Sequence, residues 1–111
     1  MSLPVLRRDT FETDVAERFR WYLEEAGEEV AQRFKDAVDE TLDDLSLHPA
    51  LGRRRRFRHP LLAGLRSFRI EPPFNKVLVF YRLGNENLEA WRLMHGSRDL
   101  SRRLLEAPGL D

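Results

Sequence analysis

The chain has 111 residues, 41% hydrophobic and 34% charged, with 19 basic and 19 acidic side chains and no cysteine. That is the size of one domain with one core, expected to span 1–111. It excludes disulfides, thiolate metal sites and cysteine nucleophiles, and no apolar run approaches the ~20 residues of a membrane span. The zero net charge is a cancellation. Residues 1–51 carry 6 Lys/Arg against 13 Asp/Glu, and residues 52–111 carry 13 against 6. Segregation of this kind predicts one acidic and one basic surface.

Pro4 to Arg8 reads as a short first strand. Asp9-Thr10-Phe11-Glu12 has the spacing of a capping box. Phe11, Val15, Phe19, Tyr22, Leu23 and Ala26 then recur at helical spacing until Gly27 breaks the pattern. A second helix carries Val30, Phe34, Ala37, Val38, Thr41 and Leu45 on one face and acids on the other, and His48-Pro49 and Gly52 end it. So short a break makes the two helices an antiparallel hairpin. Arg53-Arg54-Arg55-Arg56-Phe57-Arg58 follows, with no acid until Glu71. It reads as a basic loop for a nucleic-acid backbone, an acidic protein partner, or the chain's own acidic helices.

The period then changes from 3.6 to 2. Leu65–Ile70 is a strand, stopped by Pro72-Pro73. Lys76–Arg82 is apolar on both faces and therefore central. Gly84-Asn85-Glu86-Asn87 turns the chain into Leu88–His95, with Glu89, Trp91, Leu93 and His95 on one face and Leu88, Ala90, Arg92 and Met94 on the other. Short turns make this an antiparallel meander. Asp99 then caps a short helix whose Leu100, Leu104 and Leu105 dock back. The expected class is α+β, in the order β-α-α-β-β-β with a C-terminal helix. The hairpin packs on the sheet because nothing else can bury its apolar stripes. Trp21, Tyr22, Phe80 and Trp91 read as core, whereas Tyr81, next to Arg82, is open to either reading.

Arg66, Arg69, Arg82, Arg92 and Arg98 all lie on or just beyond strands. Strands ~4.8 Å apart can bring such guanidiniums together as an anion site, although each alone also suits a solvated ion pair. His95, at a strand end before Gly96, Arg98 and Asp99, is the best general acid or base. It equally suits a structural histidine bonded to the following turn. After Asp99 only Glu106 and the terminal Asp111 can move a proton. His48, His59 and His95 lack metal-ligand spacing, there is no phosphate-cradling glycine loop, and no cofactor is expected.

Taken together, Trp21-Tyr22, His48-Pro49-Ala50-Leu51-Gly52, Gly64-Leu65-Arg66, Val79-Phe80-Tyr81-Arg82 and His95-Gly96-Ser97-Arg98-Asp99-Leu100 resemble the RelE/ParE toxin superfamily of type II toxin–antitoxin systems. The long hairpin and the His-Gly-x-Arg-Asp ending are most similar to the ParE branch, the plasmid stabilisation proteins. The resemblance implies a small α+β toxin, a neutralising ParD-like antitoxin, and DNA gyrase as target; a cytoplasmic protein is expected separately, from the lack of a membrane span and of a signal-peptide h-region. It also implies a homodimer or a toxin–antitoxin hetero-oligomer. In the RelE branch it implies ribosome-dependent mRNA cleavage, for which His95, Arg98, Arg82 and Arg66 are the candidates, with Lys76 near a basic position of that branch. That branch's catalytic tail residue, typically Tyr, falls near Leu104, which cannot move a proton. Target binding is therefore assigned to Arg66, Arg69, Arg82, Arg92, His95, Arg98 and Asp99, beside the loop of Arg53, Arg54, Arg55, Arg56 and Arg58. A degenerate member that only binds its antitoxin is a third reading.

Overall fold

The computed structural model describes residues 2–96 and 99–108. Strand β1 (Val5–Arg7) leads into helices α1 (Asp9–Ala26) and α2 (Glu28–Leu47). Then come β2 (Arg53–Arg54), a 3-10 turn (Pro60–Leu62), β3 (Arg66–Arg69), β4 (Val77–Leu83), β5 (Leu88–His95) and α3 (Leu100–Leu105). Gly27 alone joins α1 to α2. Its φ of 93° and ψ of 171° lie in a region essentially open only to glycine. Its N–H closes α1 on the Tyr22 carbonyl while its carbonyl accepts the Ala31 N–H that opens α2.

The capping box does not form. Helix α1 begins at Asp9 itself, behind Arg8, and no side chain caps it. Asp9 and Glu12 sit inside the first turn, where carboxylates still favour the positive end of the helix. Asp99 likewise precedes α3 with no side-chain cap, in a left-handed conformation with φ 60°, and only its carbonyl bonds the helix, accepting the Arg103 N–H.

The sheet order is β1-β5-β4-β3-β2. β3 to β5 form the expected antiparallel meander, β2 extends it by one strand, and β1 joins β5 in parallel, Val5 opposite Leu88 and Arg7 opposite Ala90, so the sheet is mixed. The start of the arginine run is an edge strand as well as a loop, with Arg53 opposite Ser67 and Arg54 opposite Arg66. The simple alternation expected along β5 fails at one place. Phe80 pairs with Arg92 while Tyr81 pairs with Ala90, which leaves Trp91 as an extra residue. A bulge reverses the phase of everything beyond it. Leu88, Ala90 and Leu93 therefore share the hairpin core, and Trp91 and Met94 belong to the opposite face.

That opposite face has a core of its own. Leu62, Leu65, Leu78, Phe80, Met94 and Leu104 pack together, with Phe57, Trp91 and Leu100 against them. The basic loop and the C-terminal helix thus cover the face the hairpin leaves, which is why β4 is apolar on both sides. On the hairpin side, Phe11, Val15, Phe34, Val38 and Leu45 meet Val77, Val79 and Leu93, and Tyr22, Phe34 and Phe74 make mutual ring contacts at 4.9–5.4 Å. Tyr81 is fully buried. Its hydroxyl donates to the Pro49 carbonyl at 2.7 Å and accepts the Gly52 N–H at 2.8 Å. Burial, the larger effect, pushes its pKa above the usual 10.0. A Cβ on Gly52 would stand 2.3 Å from that oxygen, so His48–Gly52 is a packing clasp that requires glycine.

Candidate functional site

The strand arginines do not converge. Arg92 is 6% exposed and runs between α1 and the tail. Its Nε and Nη2 bond both oxygens of Asp14 at 2.7 and 3.1 Å. Its Nη1 donates to the carbonyls of Leu104 and Glu106. Asp14 also accepts the Leu93 N–H, and the Thr10 hydroxyl donates to the Trp91 carbonyl. β1 pairs only with residues 88–90 of β5. Beyond that point, two side chains of α1 satisfy the bulged edge, as buried backbone groups require. Arg82 donates to the carbonyls of Ala63 and Leu61 at 2.9 and 2.6 Å, stacks on Trp91 and shares Glu89 with Arg8. Arg66 points to the hairpin face and donates to the carbonyls of Gly52 and Ala50. Of the five, the Arg69 side chain is exposed and bonds no other described residue, and Arg98 lies outside the described residues. The expectation of one anion site built from Arg66, Arg69, Arg82 and Arg92 is therefore corrected. Three of these four guanidiniums hold carbonyls or a carboxylate in place.

His95 occupies a different setting. It lines a cleft of about 260 Å³ at the far end of β5, between α1 and the tail, with Arg18, Trp21, Arg103, Glu17 and Glu106 among the other walls. Burial first, then the charges of Arg18, Lys76 and Arg103, push its pKa below the usual 6.5. At neutral pH the imidazole is uncharged and can accept a proton or a hydrogen bond. Of the three acids lining the cleft, Asp14 is engaged by Arg92 and Glu106 by Arg102, and Glu17 makes no ion pair among the described residues. Arg103 donates to the His95 carbonyl, which ties the tail to the strand end. Asp99 and Arg102 approach each other at 3.9 Å. Trp21, expected in the core, is 48% exposed at the rim of the cleft with Arg18 stacked on its ring at 5.1 Å. Leu104 is 2% exposed and part of the second core.

The basic loop divides in two. Arg55 is half-buried, donates to the Ser67 hydroxyl at 2.8 Å and lies over Phe80. Burial and the neighbouring charge of Arg53 lower its pKa. Arg53, Arg54, Arg56 and Arg58 are exposed, and none pairs with an acid among the described residues. Neutralisation by the chain's own acidic helices, one of the three readings of this run, is thereby removed.

Sequence reasoning found His95 and missed its neighbours Arg18, Trp21, Arg103 and Asp14. The first two look like ordinary α1 residues, and the buried partner of Asp14 lies 78 residues away. Among the described residues no group of His, Asp and Glu is placed to hold a metal ion, and no helix is long and apolar enough to cross a membrane.

Residues 5–100 match the family described as the ParE toxin of the type II toxin–antitoxin system parDE. Among solved structures, the chromosomal ParDE system of P. aeruginosa superposes with a TM-score of 0.70 at 16% identity. That match covers 86% of this chain and 98% of the other. The RelBE2 toxin–antitoxin complex of Mycobacterium tuberculosis gives 0.56 at 18% identity, covering 86% and 100%. No curated protein matches by sequence. At these identities the two structures speak for the fold, and the family match over most of the chain speaks for descent. The chain belongs to the ParE toxin family of type II toxin–antitoxin systems, within the RelE/ParE superfamily.

Proposed function

We propose that this toxin acts by binding and inhibiting DNA gyrase, without chemistry of its own, and that a cognate ParD-like antitoxin neutralises it. The observation that carries the reading is the surroundings of His95. A nuclease acting through the 2′-hydroxyl needs a base, an acid and cations on the phosphate. His95 and its cations supply two of these. The tail position where the nuclease branch keeps its proton-moving residue holds Leu104, and that leucine is packed into the core. Glu106, the other tail candidate, is paired with Arg102.

The antitoxin follows from the family and from relatives solved as ParDE and RelBE2 complexes. Its expected seat is the cleft of Trp21, Arg18 and His95, which joins an exposed ring to the guanidinium stacked on it. The decisive experiment is gyrase supercoiling and DNA cleavage with purified toxin, with and without antitoxin. Inhibition that antitoxin reverses supports the reading. No effect at stoichiometric excess sinks it. A ribonuclease reading keeps one observation in its favour, the neutral His95 among three cations. Primer extension after induction tests it. Codon-positioned cuts that vanish in His95→Ala would establish cleavage and displace the gyrase reading.

A further inference from the structure

We infer that the β2 edge and its loop form a second surface, apart from the His95 cleft, that docks on the phosphate backbone of duplex DNA without reading its sequence. Arg53, Arg54, Arg56, Arg58 and Arg69 are all exposed and meet no carboxylate among the described residues. Arg54, opposite Arg66, stands on the hairpin side of the edge, whereas Arg53 opposite Ser67 and Arg69 opposite Leu78 both stand on the sheet face away from the acidic hairpin. Arg53 and Arg69 lie one strand apart and two residues along, roughly 5 and 7 Å. Protection of an open sheet edge by charge would account for Arg53 and Arg54. It does not account for Arg56, Arg58 or Arg69, which are off that edge strand.

The occupant is chosen by what the surface lacks. Single strands are held by bases stacked on exposed aromatic rings beside the cations. Here Phe57 and Phe68 are packed against the two cores. An acidic protein would want an apolar centre with charge at its rim. Between residues 53 and 70 one large apolar side chain, Leu61, is exposed. Contact with a ribose 2′-hydroxyl would use a side-chain acceptor as well as donors. The Ser67 hydroxyl already accepts from Arg55, and His59 Nδ1 accepts the Leu61 N–H. What remains is a group of donors suited to phosphate, and duplex DNA offers one negative charge per about 1.7 Å of axis. The inference is independent of which enzyme the toxin acts upon.

The test uses the full chain without gyrase. Binding to a labelled mixed-sequence DNA duplex is followed by fluorescence anisotropy across a salt series. For four or five phosphate contacts, log K falls against log[salt] with a slope of about −4. Arg56→Ala/Arg58→Ala/Arg69→Ala should reduce that slope by about 2 to 3 and weaken binding at least about tenfold at 100 mM salt. The same charge change on the hairpin, Arg20→Gln/Arg33→Gln/Lys35→Gln, should leave both unchanged. Thermal melts of both variants confirm folding. Absence of binding at about 50 mM salt, or equal losses in both variants, overturns the inference. Equal affinity for duplex RNA of the same sequence overturns the choice of DNA. Stronger competition by polyglutamate than by DNA hands the surface to an acidic protein.

Discussion

Two groups of arginines, Arg66, Arg82 and Arg92 within the sheet and Arg69 with those of the β2 edge and its loop, belong to the same basic half of the chain and have opposite fates. Arg66, Arg82 and Arg92 are consumed internally, bonding groups 14, 21 and 78 residues away in sequence. Each takes carbonyls that regular structure leaves open, at a clasp, a 3-10 turn or the tail. Arg53, Arg54, Arg56, Arg58 and Arg69 bond nothing comparable. A guanidinium offers five donors in a rigid fork and never loses its charge, so one residue type serves both uses. The difference teaches that the charge of a segment overstates its surface field. Part of the +7 is spent on holding the sheet, the loop and the tail together.

The sharpest way to break this comparison is at Arg92. Arg92→Ala leaves Asp14 buried and uncompensated and frees two tail carbonyls. The expected cost is about 3–5 kcal/mol, read from urea unfolding. Arg92→Met/Asp14→Leu removes both charges and should recover most of it. Recovery stays incomplete because the Leu93 N–H loses its acceptor. A single-mutant cost below about 1 kcal/mol would show that the pair is solvated, and the division between internal and surface arginines would fail.

A smaller effect separates Arg82 from Arg69, which lie on adjacent strands and on the same sheet face. Arg82→Ala loses two carbonyl bonds and the stack on Trp91, about 1–2 kcal/mol in total. Arg69→Ala removes no contact seen among the described residues and should stay within about 0.5 kcal/mol. Equal costs in chemical denaturation would mean that Arg69 has a structural partner.

What was legible in the sequence was local. The α1 and α2 stripes, Gly27 and the two-faced strand β4 follow from spacing within a few residues, and the order of elements carried the family resemblance. What was not legible depends on pairing across the chain. Nothing near Trp91 marks it as an extra residue; the mismatch exists only against β4, and with it went the faces of Leu93 and Met94. Trp21 continues the α1 pattern toward the core, yet it stands at the rim of the cleft rather than in the core. Arg66, Arg82 and Arg92 were recognised as special for the wrong reason. Strand spacing permits convergence, but bonds to distant carbonyls decide where each side chain goes. His95 was found because it stands alone at a strand end, while the cations that tune it come from α1, the start of β4 and α3.

The smallest effect is the pH behaviour of His95, and it isolates the electrostatic part of that tuning. Its folded pKa lies below 6.5, so as pH falls the unfolded chain takes up the proton first. Its contribution to stability is complete above about 6.5 and is lost as pH drops from there through the folded value. Arg18 from α1, Lys76 before β4 and Arg103 from the tail push it down, and Glu17 from α1 and Glu106 from the tail line the same cleft. Burial is the larger cause, so Arg18→Ala should raise the midpoint only partway to 6.5. Lys76→Ala should act in the same direction. Arg69→Ala, which removes an equal charge on the other sheet face, should leave the midpoint unmoved. An NMR titration of the His95 ring reads all three. A wild-type midpoint above about 7 would show that Glu17 and Glu106 outweigh burial and the cations together. The cleft would then present an imidazolium at neutral pH, a donor where the geometry now offers an acceptor.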